Sequence, residues 1–176
     1  MKEIEAKILG IDRERCEKTL YMLGAKKTFE GEIQTTFYDF SDKSIERTKN
    51  LLRLRKVGEK TFLTCKKYVQ NKNAKIRKEY EIEVSDYKTT DIILQFLKLI
   101  TLFTVKKHRT SYVLNDVHFE FDTHLDKYAF IPVFLEIEAQ NITTLYKSAQ
   151  QLGFIKDDCK PWSFFDVVEY YTKKKK

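Results

Sequence analysis

The tripeptide Glu-Ile-Glu occurs three times in 176 residues: at 3–5 within EIEAK, at 81–83 within KEYEIEV and at 136–138 within FLEIEA. A period of two is the signature of a β-strand, because successive side chains leave opposite faces of a sheet. Each copy therefore sets two carboxylates side by side on one face and a branched apolar residue on the other. Like charges at that spacing repel. The repetition makes sense if something of opposite charge sits between them.

The same two-sided pattern continues along the chain. A first strand over 2–9 carries Glu3, Glu5 and Lys7 on one side and Ile4, Ala6 and Ile8 on the other. Strands are predicted near 33–40, 50–57, 60–68, 75–85, 104–114, 116–123 and 132–140. Their polar faces hold Arg53 and Arg55; Thr64 and Lys66; Arg77, Glu79, Glu81 and Glu83; Lys107 and Arg109; Glu120 and Asp122; Glu136 and Glu138. One solvated sheet face would mix polar residues loosely. Recurrent Glu-x-Glu and Arg-x-Arg pairs do not fit that description.

Helices are predicted over DRERCEKTLYMLG, with Asp12 as cap and Gly24 as stop, and over TTDIILQFLKLI, apolar at Ile93, Leu94, Leu97 and Ile100. A third spans 142–152, and a last begins at SFFD, where Ser163 and Asp166 have capping-box spacing. EIEAK followed by a helix ending Leu23-Gly24 is echoed by EIEAQ followed by a helix ending Leu152-Gly153. The expected fold class is α+β: an eight-stranded antiparallel closed β-barrel, a tunnel with polar interior and helices packed outside.

Five Gly, two Pro and no Ser- or Pro-rich linker mark no boundary, so residues 1–172 read as one domain and 173–176 as a basic tail. The 42% hydrophobic content excludes disorder despite the 34% charged residues. Cys16, Cys65 and Cys159 are scattered, with no CxxC and no zinc-like pairing with His108, His118 or His124, which predicts reduced thiols and a cytoplasmic protein. No apolar run approaches the ~20 residues of a membrane span, and charges occupy the place of a signal peptide's apolar core. No P-loop or H-E-x-x-H is present.

The net charge of +7 favours anionic partners, but four of the positive charges are Lys173 to Lys176. Nucleic acid is disfavoured as a partner, because the strand carboxylates would repel a phosphate backbone and the aromatic residues are not interleaved with basic ones. An outer sheet face leaves room for a homodimer.

Paired carboxylates hold hard divalent cations, and paired arginines and lysines hold phosphate oxygens. A face bearing both fits a metal-bound polyphosphate.

EIEAK resembles the E-x-E-x-K signature of the CYTH superfamily, the triphosphate tunnel metalloenzymes. The succession LLRLR, FLTCKK, IRKEYEIE, VKKHR, FEFD and FLEIEA is similar to the family's order of tunnel strands, and SFFD resembles its C-terminal Ser-aromatic motif. The resemblance implies Mg²⁺ or Mn²⁺ bound by Glu3, Glu5, Glu136 and Glu138, with Asp122 as an acid near the metal. It implies triphosphate binding by Lys7, Arg53, Arg55, Lys66, Arg77, Lys107 and Arg109, with Glu79 and Glu81 as tunnel acids and Glu83 at the edge. Glu5, Asp122 and Glu138 would be catalytic.

Thr36 stands where the family often has an acid, in a Gln-x-Asp-x-Tyr pattern, and Lys67 where a Gly often follows; both departures bear on substrate preference. The implied function is a divalent-metal-dependent phosphohydrolase acting on a small molecule that carries a triphosphate: inorganic triphosphate, thiamine triphosphate or a nucleoside triphosphate. The alternatives are a class IV adenylyl cyclase, for which Phe37, Tyr38 and Phe40 are candidate adenine contacts, and a non-enzymatic module binding nucleic acid or polyphosphate.

Overall fold

The computed structural model describes residues 4–69 and 76–174, with side chains at all of these except 76 and 77. The expectations for Glu3 and for the Arg77 side chain lie outside the described residues. Eight strands are described: β1 (Ile4–Ile8), β2 (Lys26–Asp39), β3 (Leu51–Val57), β4 (Lys60–Val69), β5 (Ile76–Val84), β6 (Ile100–Leu114), β7 (Val117–His124) and β8 (Phe134–Ala139). The helices are α1 (Arg13–Met22), α2 (Ser44–Arg47), α3 (Tyr87–Phe96), α4 (Ile142–Gln151) and α5 (Phe164–Lys174).

The fold is α+β, and the eight antiparallel strands form one ladder in the order β1-β8-β7-β6-β2-β3-β4-β5. Among the described residues β1 does not pair with β5, the pairing that the expected closed barrel requires. At its free edge β1 pairs instead with a residue after α4: the Lys7 N–H donates to the Lys160 carbonyl at 2.8 Å, and the Lys160 N–H to the Lys7 carbonyl at 2.9 Å.

The described residues form two compact units, one from 4–31 and 107–174, the other from 32–69 and 76–106. In the first, the apolar face of β1, β7 and β8 presents Ile8, Phe119, Phe121, Leu135 and Ile137, each at most 1% exposed, to Leu20 of α1 and Leu145 of α4. Each such side chain contributes about 1.5–3 kcal/mol by leaving water. Asp12 and Asn141 start these helices, their side chains accepting from the Arg15 N–H at 3.0 Å and the Thr144 N–H at 2.9 Å. Gly24 at φ +83 and Gly153 at φ +86 stop them, in the left-handed region that favours glycine.

In the second unit Tyr38 and Leu54 pack under Leu94 of α3 and the adjoining Leu99. Asp39, 1% exposed, accepts from the N–H groups of Phe40, Ile45 and Glu46 at 2.7–2.9 Å and so nucleates α2, an element the sequence pattern does not signal. The helix predicted through Ile100 ends at Phe96. Lys98 turns to φ 69, the Leu99 N–H closes back on the Leu94 carbonyl at 3.1 Å, and Ile100 already begins β6.

Thr36 and Tyr38 face α3 rather than the charged strand face. The Thr36 hydroxyl lies 2.6 Å from that of Tyr87, and Tyr38 donates to Asp91 at 2.7 Å. The Thr36 side chain is thus engaged in the packing of α3. Lys173 and Lys174 close α5 instead of forming a separate tail, with Lys173 paired to Glu169 one turn earlier. Among the described residues no helix is long and apolar enough to cross a membrane.

Candidate metal and phosphate site

Strand register assembles the charged face of the first unit. Glu5 lies opposite Glu138 and Lys7 opposite Glu136 across β1 and β8. Glu136 in turn lies opposite Glu120 of β7, and Asp122 and His124 lie opposite Arg109 and Lys107 of β6. Directly opposed residues share a sheet face, so four strands bring these nine side chains together.

The groups are close and mostly buried. Lys7 Nζ is 2.6 Å from Glu136 Oε2 and 3.4 Å from Glu5 Oε1. Arg109 grips Asp122 with two parallel bonds, Nε to Oδ1 at 2.6 Å and Nη2 to Oδ2 at 2.7 Å, while Lys107 Nζ donates to Asp122 Oδ2 at 2.7 Å. Arg109 also pairs with Glu120, and reaches Glu136 at 3.6 Å.

Five carboxylates thus meet three cations, and the imbalance shows in their proton affinities. Burial would raise Asp122 and Glu136, yet Lys107 and Arg109 hold the first, and Lys7 and Arg109 the second, below the usual carboxylate range. Glu138 forms no ion pair among the described residues, and Arg109 lowers it too little to offset the rest. Burial, then the charges of Glu120 and Glu136, pushes it up to about 9. Burial also takes Glu120 to about 7 despite Arg109.

One oxygen each from Glu5, Glu136 and Glu138 lies within 4.8 Å of the other two. All-oxygen donors, and five carboxyl groups facing three cations, fit a hard divalent cation, which would displace the proton that Glu138 keeps. Asp122 is not part of this trio; its oxygens are taken by Arg109 and Lys107.

Two residues of this face, Glu120 and His124, are absent from the predicted site, although continuing the alternation through Asp122 as Glu-x-Asp-x-His reaches both. His124 is 3% exposed, its ring stacked on Phe134 at 5.4 Å and on Phe164 at 4.8 Å between centroids, and its Nδ1 makes no hydrogen bond among the described residues. Burial pushes it from 6.5 down to about 4. The unfolded chain then binds more protons than the folded one between these values, so this imidazole's contribution is present above about 6.5 and is lost as pH falls toward 4. His124→Phe is expected to remove on the order of 2 kcal/mol of the stability difference between about pH 5 and pH 7, read from urea titrations of both proteins.

The second unit carries its own charged face, and there every described cation holds an acid. Lys66 Nζ is 2.7 Å and Arg53 Nη2 3.3 Å from Glu79, and Arg55 Nη2 is 3.2 Å from Glu81, which also accepts from the Thr64 hydroxyl at 2.6 Å. Glu79 sits below the usual carboxylate range, since Lys66 and Arg53 outweigh its burial. Glu83 pairs with Lys60 at the exposed edge. Phe37, opposite Arg53, stacks on Phe103 at 4.6 Å. Tyr38 is turned away, and Phe40 lies exposed beyond the end of β2.

Carboxylates spaced for one cation are thus set among buried ammonium and guanidinium groups on an antiparallel sheet. The chain belongs to the CYTH domain family, whose model matches residues 1–158. Among solved structures it is similar to the PH1012 protein of Pyrococcus horikoshii OT3, at 25% identity and a TM-score of 0.75 over 94% of this chain and 98% of that one. It is also similar to a Vibrio parahaemolyticus protein described as a candidate adenylate cyclase, at 16% identity and a TM-score of 0.78 over 96% of this chain and 98% of that one. A third likeness is to HpAC1 of Hippeastrum, described as an adenylyl cyclase candidate with a dominant triphosphatase activity, at 14% identity and a TM-score of 0.63 over 97% and 96% of the two chains. The last two likenesses are of fold alone. No match to this sequence is found among curated proteins.

Proposed function

We propose that the protein is a divalent-metal-dependent phosphohydrolase acting on a small molecule that carries a triphosphate. The observation that carries this reading is the trio Glu5, Glu136 and Glu138 on the same face as Lys7, Lys107 and Arg109, with carboxylates in excess. A Mg²⁺ or Mn²⁺ ion held by the trio would screen the phosphate oxygens and make a bound water more acidic. Lys7, Lys107 and Arg109 donate to phosphate oxygens and stabilise the charge that develops as the terminal phosphoryl group departs. A cation held by the trio would displace the proton that Glu138 otherwise keeps, and the carboxylate so formed would orient the attacking water, while Asp122 keeps Arg109 and Lys107 in place. On the second unit's own charged face, Arg53, Arg55, Lys66 and Arg77 are proposed as triphosphate-binding groups, the first three paired with Glu79 and Glu81. The fold shared with HpAC1 supports this activity.

One observation favours a second reading, a class IV adenylyl cyclase. Phe37 and Phe103 form a stacked aromatic pair beside Arg53, where a nucleobase has a partner that inorganic triphosphate would not need.

The test is incubation with inorganic triphosphate, thiamine triphosphate and ATP, each with Mg²⁺, Mn²⁺ or EDTA, with products resolved by anion exchange. Diphosphate plus orthophosphate, lost in EDTA, is expected. Glu5→Gln should slow this turnover at least about 100-fold with unchanged circular dichroism. Cyclic AMP plus diphosphate from ATP would transfer the site to the cyclase. No product from any substrate would overturn both readings and leave a polyphosphate-binding module.

A further inference from the structure

Helix α3 has two apolar faces, and its own unit covers one. Leu94, 5% exposed, points with Tyr87 into the cluster around Tyr38 and Leu54. Away from that cluster Ile92 is 65% exposed, Ile93 52%, Phe96 81% and Leu97 57%, and Ile100 just beyond is 45% exposed. The helix α4 shows the contrast, since Ile142 at its start is its one large apolar side chain left exposed. Residues 92 and 96, and 93 and 97, are one turn apart, so the four form a continuous stripe. A helix that is apolar on all sides belongs in a buried setting.

The size and symmetry of the stripe indicate what covers it. With Phe side chains of roughly 150–250 Å² and smaller aliphatic ones beside it, the exposed apolar area is on the order of 400 Å². That is the apolar half of an interface burying about 800 Å² per partner, the polar rim supplying the rest. A two-fold interface uses the same patch twice and must therefore match itself. An axis through the middle of the stripe turns Ile92 onto Leu97 and Ile93 onto Phe96, branched aliphatic onto γ-branched or aromatic in both cases.

We propose that the occupant is a second copy of this chain, joined through antiparallel packing of α3 on α3. The proposal is independent of the catalytic reading, because its readout is mass. Sedimentation equilibrium of the full chain over about 1–100 μM is expected to give twice the chain mass for the wild type. Phe96→Glu and, separately, Ile92→Lys are expected to give the single-chain mass with unchanged circular dichroism, since both side chains are exposed. Met22→Glu, at the exposed end of α1, is expected to leave the dimer intact. A wild type of single-chain mass throughout, or a dimer that survives Phe96→Glu and Ile92→Lys, would overturn the proposal. So would a monomer that co-floats with anionic lipid vesicles through the same residues, which would assign the stripe to a membrane surface.

Discussion

Glu138→Gln is expected to raise the melting temperature of the metal-free protein above neutral pH while removing metal-dependent turnover. The half-buried carboxyl lies beside Glu5, Glu120 and Glu136, forms no ion pair among the described residues, and is pushed from 4.5 up to about 9 by desolvation and by the charges of Glu120 and Glu136, which outweigh Arg109. Between these values the folded chain holds a proton that the unfolded chain releases, so the wild type loses stability as pH rises through that window. Glutamine keeps the shape and cannot ionise. Discounting for the shared titration of the cluster, the gain at alkaline pH is roughly 2 kcal/mol, or about 4–8 °C for a chain of this size. Added Mg²⁺ or Mn²⁺ should stabilise the wild type by mass action and leave the variant where it was. Thermal scans with and without metal provide the check. A variant that is less stable in EDTA, or that still gains from metal, would remove Glu138 from the cation site.

Arg109→Leu is expected to have the largest destabilising effect on this face. The guanidinium pairs with Asp122, Glu120 and Glu136, which are 1%, 9% and 7% exposed, and leucine would leave three buried acids with only Lys7 and Lys107. Breaking a buried pair from one side costs about 3–5 kcal/mol. The cost should shrink as pH falls toward about 5, because the stranded carboxylates then take up protons, the reverse of ordinary acid destabilisation. Arg109→Lys keeps the charge but not the paired bonds to Asp122 and should lose roughly half as much. Urea titrations across pH test the sign as well as the size; a variant equally impaired at low pH would mean that Arg109 acts through packing.

Alternation made most of this face legible. A strand that writes Glu5 and Lys7 two apart determines that they share a face, and the same holds for Arg53 with Arg55 and for Glu136 with Glu138. Register was not legible. Nothing local says that Lys7 meets Glu136 or that Arg109 is held by Asp122, so a list of cations and acids could not show which carboxylates remain uncompensated. The first half of β2 was hidden because KKTFEGE is charged and lies mostly exposed, pairing without burying much. The start of β6 was hidden because its apolar residues continue the helical pattern of α3, and only the left-handed turn at Lys98 separates the two. Closure could not be read either, since it depends on what the edge of β1 finds.

That edge finds Lys160. An open strand edge is a template on which another chain can add itself, and the two backbone bonds between Lys7 and Lys160 fill it at the position that carries the buried ammonium. They also hinder β1 from sliding by two residues, a shift that would keep its apolar side inward but move Glu5 away from Glu138. The stretch after α4, which contributes no group to the charged face, therefore guards the protein against aggregation and keeps its first strand in frame.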